Sequence, residues 1–140
     1  MTAAATEVLV RRYYAAFNAS DVAGMLACLA DDVRHDVNQG GTRTGKAAFA
    51  EFCAHMARCY RERLDDVVVM VSADGARAAA EFTVHGTYIA TDEGLPPATG
   101  QTYVLPAGAF LAVEGGTITR VTTCYNLRHW LALVGAAGPA

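Results

Sequence analysis

The chain has 140 residues, of which 53% are hydrophobic and 18% are charged, and its formal net charge is −3. This length fits one domain and leaves no room for two, so a single domain spanning residues 1–140 is expected. No apolar run approaches the roughly 18 residues of a membrane-spanning helix, and the basic residues do not cluster as a phosphate backbone requires. The composition therefore argues against a membrane partner and a nucleic-acid partner.

The N-terminal segment and the cysteines bear on location and cofactors. Residues 1–6 have neither a charged start nor an apolar stretch, so no export signal is visible and a cytoplasmic location is expected. The four cysteines show no CxxC pairing and no histidine at ligand spacing, which favours free thiols over disulfides or zinc. No cofactor is indicated. The histidines fall on different faces of the predicted elements, so no metal site is expected.

In the first half of the chain, apolar spacing predicts three helices and one short strand. The helices are predicted at residues 7–18, 20–29 and 44–64. Residues 33–38 alternate in polarity and predict a strand, which a Gly-Gly loop at residues 39–43 follows. The two faces of this strand carry alternate side chains, namely Val33, His35 and Val37 on one face and Arg34, Asp36 and Asn38 on the other.

In the second half, the pattern changes to the two-residue period of strands. The predicted elements are strands at residues 67–72, 77–91, 101–114 and 117–125, a short helix at residues 126–134 and a loose end at residues 135–140. An Asp-Gly turn joins the first two strands. The loop at residues 92–100, which contains Gly94, Pro96 and Pro97, is expected to form the lip of a pocket.

The order of these elements predicts an α+β fold. Helices come first and a meander of long strands follows, which argues against a doubly wound sheet. Strands of this length must bend, and Gly86 and Gly108 lie where kinks would curve the sheet over the long helix. We expect a curved antiparallel sheet wrapped around that helix, with the N-terminal helices closing an apolar pocket.

Several motifs resemble a known superfamily. They are YYAAFNASD at residues 13–21, LADD at 29–32, TGK at 44–46, HDVNQGG at 35–41, HGTYIATDEGLPPATGQTYVLPAGAF at 85–110 and ITRVTTCYNL at 118–127. In these motifs the chain resembles the nuclear transport factor 2-like (NTF2-like) superfamily, in its ketosteroid isomerase-related, SnoaL-like branch. The resemblance covers residues 6 to 134 and implies the cone-shaped, cystatin-like sheet of that superfamily.

The resemblance also implies catalytic residues. Tyr13 matches the tyrosine of the first helix that polarises a substrate carbonyl, and Asp36 matches the general base once one residue is deleted before it. An Asp36 base in an apolar pocket would have a raised pKa. The third group, a protonated aspartate, corresponds to Gly108, which has no side chain to donate a proton. One half of the oxyanion hole is therefore missing, a loss that typically costs about 10² to 10³ in rate.

Each catalytic residue has a structural alternative. Asp36 could instead pair with Arg34 or face solvent, and the Tyr13 ring could fill the core with its hydroxyl bonded internally. We expect His35 and His85 to face outward and His55 to be a core histidine with satisfied hydrogen bonds.

The expected substrate-binding residues are Asn38, Phe82, Val84, Tyr88, Phe110, Thr123 and Tyr125. Tyr88, Thr123 and Tyr125 fall on inward positions if Phe82 does. Their alternative role is sheet packing with the hydroxyls at the rim.

Two functions remain open at this stage. One is a ketosteroid isomerase-like enzyme that moves a proton next to a carbonyl of an apolar small molecule, in isomerase, cyclase or dehydratase chemistry. The alternative is a non-catalytic module of the same fold that binds an apolar ligand or dimerises. The high apolar fraction and the outward Thr, His and Val side chains predict a homodimer through the outer face of the sheet.

Overall fold

The computed structural model describes residues 1–135, so the loose end expected at residues 135–140 lies almost entirely outside the described residues. The helices are α1 (Ala3–Asn18), α2 (Val22–Ala27), α3 (Lys46–Cys59) and α4 (Leu127–Val134). The strands are β1 (Leu29–Val37), β2 (Thr42–Thr44), β3 (Tyr60–Val71), β4 (Arg77–Tyr88), β5 (Thr102–Glu114) and β6 (Thr117–Tyr125).

The six strands form one sheet in the order β2-β1-β6-β5-β4-β3. Within the described chain, β1 and β6 run parallel and the other neighbours run antiparallel. Helix α1 packs against β3, α3 against β1 and α4 against β5. This arrangement confirms the predicted α+β class and the curved sheet with helices on its inner face.

The core lies between the helices and the inward side chains of the sheet. Its largest fully buried members are Tyr88, Leu29, Leu111, Ile118, Val10, Val33 and Val121. Each large apolar side chain buried in this way contributes roughly 1.5–3 kcal/mol. No helix among residues 1–135 is long and apolar enough to cross a membrane.

Strand β3 starts earlier than the sequence predicts. The predicted helix at residues 44–64 ends at Cys59, and Tyr60 already has extended dihedral angles, φ −136° and ψ 148°. Glu62 and Leu64 then alternate with exposed arginines and pair with β4. The predicted end of the helix is therefore wrong, because pairing with β4 outweighs the helical propensity of these residues.

Asn18 ties the end of α1 to the edge of the sheet. Its Nδ2 donates to the Leu64 carbonyl at 2.9 Å, and its Oδ1 accepts from the Leu64 N–H at 2.8 Å. Strand β3 is an edge strand, so these two backbone groups have no neighbouring strand on that side. The side chain of Asn18 takes the place of that strand and fixes α1 over the inner face.

The variant Asn18→Ala should lower the free energy of unfolding by about 1–3 kcal/mol, because both partly buried Leu64 groups lose their partner. Urea denaturation at neutral pH measures this loss. Asn38→Ala, at an exposed position, is the matched control and should stay within about 0.5 kcal/mol of the native chain. Equal losses in the two variants would contradict the role given to Asn18.

Candidate functional site

A cavity of about 670 Å³ lies between the inner face of the sheet and the helices. This volume is within the range of small-molecule sites. Nine aromatic residues contribute to its wall, namely Tyr13, Tyr14, Phe17, Phe49, Phe52, Tyr60, Phe82, Tyr125 and Trp130. Among these apolar groups lie a few titratable side chains, and those determine what the cavity can do chemically.

Glu62 is a half-buried carboxyl group in the wall of the cavity. Its Oε2 accepts a hydrogen bond of 2.5 Å from the Tyr103 hydroxyl. Within residues 1–135, Oε1 has no hydrogen-bond partner, which leaves it for a ligand. Burial raises the pKa of Glu62, and the bond from Tyr103 opposes this effect only in part.

Gly86 makes the contact between Glu62 and Tyr103 possible. The three residues lie side by side in the register, with Glu62 on β3 opposite Gly86 on β4, and Gly86 opposite Tyr103 on β5. A Cβ atom at Gly86 would overlap the Cζ, Cε2 and hydroxyl of Tyr103. The tyrosine ring therefore crosses β4 over the glycine and reaches the carboxylate two strands away.

The buried side of Tyr103 is closed by α4. The Tyr103 and Trp130 rings are 6.0 Å apart in edge-to-face packing, and both side chains are buried. Burial and the neighbouring Glu62 raise the pKa of the Tyr103 hydroxyl, so it remains a protonated donor at neutral pH. Glu62 thus has a fixed neutral donor on one oxygen.

His35 is a second titratable group in the cavity wall. It is 4% exposed, and its ring lies 4.9 Å from Phe49 and 4.7 Å from Phe52. Its Nδ1 is buried and has no hydrogen-bond partner within the described chain. Burial, with a contribution from the Arg43 cation and against the opposing effect of Asp36, lowers the pKa of His35 to about 4. The imidazole is therefore neutral at physiological pH.

Tyr13 also lines the cavity. Its ring is buried and packs edge-to-face on Tyr14 at 5.0 Å, and it lies 6.4 Å from Phe49. Burial, reinforced by nearby Tyr14 and cysteine thiols, raises its pKa well above the ordinary value. No group in residues 1–135 hydrogen-bonds to its hydroxyl, so Tyr13 can donate to a ligand.

One group of side chains fixes the loop that follows β4. Asp92 accepts from Tyr60 at 2.7 Å and pairs with His55 Nε2 at 2.9 Å. His55, Cys59 and Asp92 bring their ligand atoms within 4.8 Å of one another, a convergence that the sequence did not predict. Because Asp92 is already bonded on both oxygens, its contacts here hold the loop against α3 and β3.

A family model for the SnoaL-like domain matches residues 10–121. The chain belongs to this family. This confirms the resemblance to the NTF2-like superfamily. No curated protein matches the chain.

Solved structures of related proteins agree with this assignment. A candidate polyketide cyclase from Pseudomonas putida KT2440 is 63% identical, with a TM-score of 0.91 over 96% of this chain and 99% of that one. Another from Xanthomonas campestris pv. campestris is 55% identical, with a TM-score of 0.91 over 94% and 97%. TerC, co-crystallised with polyporic acid, is 22% identical with a TM-score of 0.76 over 93% and 98%, which shows the fold alone.

In this SnoaL-like chain, Asp36 lies outside the cavity. Its carboxylate accepts from Arg34 at 2.9 Å, from Thr42 at 2.7 Å and from Thr122 at 3.0 Å. Partial burial by itself would raise the pKa of Asp36, but these hydrogen bonds outweigh it and lower the pKa to about 2. The expectation of an inward Asp36 with a raised pKa is wrong.

The expectation that His35 faces outward is also wrong, and the alternation of side chains along β1 explains both corrections. Val33, His35 and Val37 share one face of β1, and the valines belong to the core or the cavity wall. Alternation then turns Asp36 outward and His35 inward. The alignment implied by the resemblance, which needed one deleted residue, gave the opposite face.

The expected substrate-binding residues divide into two groups. Phe82, Val84, Thr123 and Tyr125 line the cavity, and their role in binding stays a prediction. The other three, Asn38, Phe110 and Tyr88, do not line the cavity. Asn38 is exposed, and Phe110 is 55% exposed on the outer face of the sheet. Tyr88 is buried behind the cavity wall. The Tyr88 hydroxyl instead donates to the Pro96 carbonyl at 2.7 Å and accepts from the Asp92 N–H at 2.9 Å.

Sequence reasoning missed Glu62 and Tyr103. Glu62 lies within the helix predicted at residues 44–64, and that prediction does not bring it to the pocket. The signal that could have found it is the alternation in YRERL, where Tyr60, Glu62 and Leu64 share one face of a strand. The interpretation of Gly86 as a kink does not reveal the space that this glycine leaves for Tyr103.

The variant Asp36→Asn should lower the free energy of unfolding by about 1 kcal/mol at pH 7, because three donors lose a charged acceptor at a partly exposed site. The folded pKa, about 2, lies below the unfolded value, so this stabilisation is present above pH ~4 and is lost as the pH falls towards 2. Denaturant melts at pH 7 and pH 3 measure the difference between the two chains.

Asp32→Asn, at an exposed position, is the control and should change little at either pH. A gain in stability for Asp36→Asn at pH 7 would instead indicate a carboxylate that is costly to bury.

Proposed function

We propose that this chain is an enzyme of the cyclase or isomerase type that moves a proton at a carbon next to a carbonyl group of an apolar small molecule. Glu62, rather than Asp36, is the base. The observation that carries the proposal is the Glu62 carboxyl held in the cavity by the Tyr103 hydroxyl, with Oε1 left free.

The chemistry of Glu62 suits this task. A general base works best when its pKa approaches the working pH, and burial moves the pKa of Glu62 in that direction. The bond from Tyr103 occupies Oε2, so the basic lone pair available to a substrate is on Oε1. In the proposed step, the C–H bond breaks, its proton goes to Oε1, and its electron pair moves towards the carbonyl oxygen to give an enolate.

The cavity supports an apolar substrate. Aromatic rings dominate its wall, and its volume is within the range of sites for small organic molecules. The more similar relatives are candidate polyketide cyclases, and TerC, which has this fold, was co-crystallised with polyporic acid. These likenesses support a small organic ligand.

The variant Glu62→Gln tests the base. With 2-tetralone in D₂O as the probe, the native chain should catalyse exchange of the hydrogens next to the carbonyl, followed by proton NMR. Glu62→Gln should reduce the rate by about 10² to 10⁴-fold, since the amide cannot accept the proton. Glu81→Gln, at an exposed position on the outer face of β4, is the matched control and should keep the native rate.

The pH profile of the same assay separates a base from a merely structural carboxyl. The rate should rise with pH through the pKa of Glu62, because the ionised form is active, and the midpoint should lie above the ordinary 4.5. Tyr103→Phe and Gly86→Ala both remove the bond that favours the ionised form, so both should move the midpoint further up. A native rate in Glu62→Gln would overturn the proposal.

The alternative is a binding module without chemistry. The outward position of Asp36 favours it, and so does the absence of a donor at Gly108 and its inward neighbour Ala107. The exchange experiment separates the two functions. A chain that binds 2-tetralone but does not accelerate exchange above the buffer rate is a binder.

We also propose that the chain forms a homodimer through the outer face of the sheet. Large apolar side chains are exposed there on β3 and β5, with 49% of Met70, 53% of Val104 and 55% of Phe110 in solvent. A second copy would remove this apolar surface from water.

The variant Phe110→Arg should convert the dimer to a monomer at micromolar concentration, because a charge would be buried at the centre of the interface. Light scattering coupled to size exclusion measures the mass. Leu133→Arg, 40% exposed on α4, is the control and should leave the mass unchanged. A native chain that is monomeric throughout would defeat this proposal.

A further inference from the structure

His35 is buried in the cavity wall without a function in the proton transfer described above. Its Nδ1 is shut off from solvent and has no partner within residues 1–135. A buried polar atom without a partner typically costs about 1–3 kcal/mol and is unusual in a protein core. The residue nevertheless lies in the wall of a ligand-sized cavity, which leaves Nε2 to meet a ligand.

The surroundings of His35 determine which nitrogen carries the proton. A neutral imidazole has one N–H group, and the other nitrogen is an acceptor. A buried N–H without an acceptor is rarer in proteins than an under-used acceptor. The His35 ring packs against the rings of Phe49 and Phe52, which offer no carbonyl or carboxylate, and Nδ1 is the ring nitrogen that is buried without a partner. The proton is therefore expected on Nε2, the nitrogen left for the cavity.

Arg43 keeps the imidazole in this neutral form. Its guanidinium lies 4.7 Å from the centroid of the Phe52 ring, and Phe52 in turn contacts His35. The cation opposes a second positive charge on His35, in the same direction as burial. The opposing carboxylate, Asp36, faces the other side of β1 and is already bonded to Arg34.

We propose that the His35 imidazole donates a hydrogen bond from Nε2 to a carbonyl oxygen of the ligand. This inference rests on the proposed function and deepens it, since it names the group that holds the oxygen while Glu62 takes the proton. As the C–H electron pair moves towards the oxygen, the bond from Nε2–H strengthens, and no proton needs to leave His35. The ligand class is then a neutral ketone or quinone-like compound.

Nitrogen-15 NMR of histidine-labelled protein tests the tautomer without a mutation. At pH 7, His35 should show a protonated Nε2 and a bare Nδ1. Arg43→Gln should raise the pKa of His35 towards 6.5, because one of the groups that oppose its protonation is lost. A His35 that is protonated on Nδ1, or doubly protonated at pH 7, would overturn the inference.

Binding of 9-fluorenone and fluorene tests the contact itself. The two compounds have the same three rings, and only fluorenone has a carbonyl oxygen. The native chain should bind fluorenone more tightly, on the order of tenfold, as one hydrogen bond in a shielded site allows. His35→Phe should keep the affinity for fluorene and lose the preference for fluorenone.

Two further variants control for nonspecific effects of the substitution and for poor folding. His129→Phe, at an exposed position on α4, should retain the preference. His35→Gln, whose amide can still donate, should retain part of it even where His35→Phe is poorly folded. An unchanged preference in folded His35→Phe would overturn the inference.

This outcome is separable from that of the proposed function. Fluorenone has no hydrogen on the carbon next to its carbonyl, so its binding does not depend on Glu62 as a base. Tetralone exchange with no ketone preference would refute the role of His35 alone. A ketone preference that is lost in His35→Phe, without any exchange in the native chain, would support His35 and refute the proton transfer.

Discussion

A β-strand turns every second side chain to the same face, and this alternation decides which groups of the sheet can meet a ligand. In β1, Val33 and Val37 have apolar side chains whose burial stabilises the fold, and His35 between them follows them inward. Asp36 must then face outward, where three donors satisfy its carboxylate. An unpaired carboxylate in the apolar cavity would cost several kcal/mol. A carboxyl group on the sheet that lines the cavity therefore comes from another strand.

That strand is β3, and the geometry of the sheet lets its Glu62 carboxyl accept a hydrogen bond from β5. Neighbouring strands lie roughly 4.8 Å apart, so groups two strands apart do not normally touch. Here the missing side chain of Gly86 leaves space above β4. The long side chain of Tyr103 crosses that space and reaches Glu62. Trp130 on α4 packs edge-to-face against the Tyr103 ring. A residue without a side chain thus makes the contact between Tyr103 and Glu62 possible.

The sequence predicted the fold class, the bounds of the last strand and the inward positions of Phe82 and Thr123, because clear two-residue periods and Gly-rich turns specify them. It did not predict where α3 ends, since the residues after Cys59 suit a helix and become a strand only by pairing with β4. The apolar side chains of Val33 and Val37 indicate the inward face of β1 correctly, whereas the family alignment favoured Asp36 and so gave the opposite face. Contacts across strands, such as the one between Glu62 and Tyr103, cannot be predicted from the periodicity of the sequence.

Two titratable groups of the cavity wall, His35 and Glu62, respond to the same apolar surroundings in complementary ways. Burial disfavours charge, so His35 loses its proton readily and Glu62 keeps its proton to a higher pH. A base must be ionised to act, yet a base that ionises too easily is too weak. The hydrogen bond from Tyr103 favours the ionised form and limits the rise in the pKa of Glu62. Because Gly86 permits that bond, the backbone of β4 moderates the rise in pKa that burial gives to a side chain on β3.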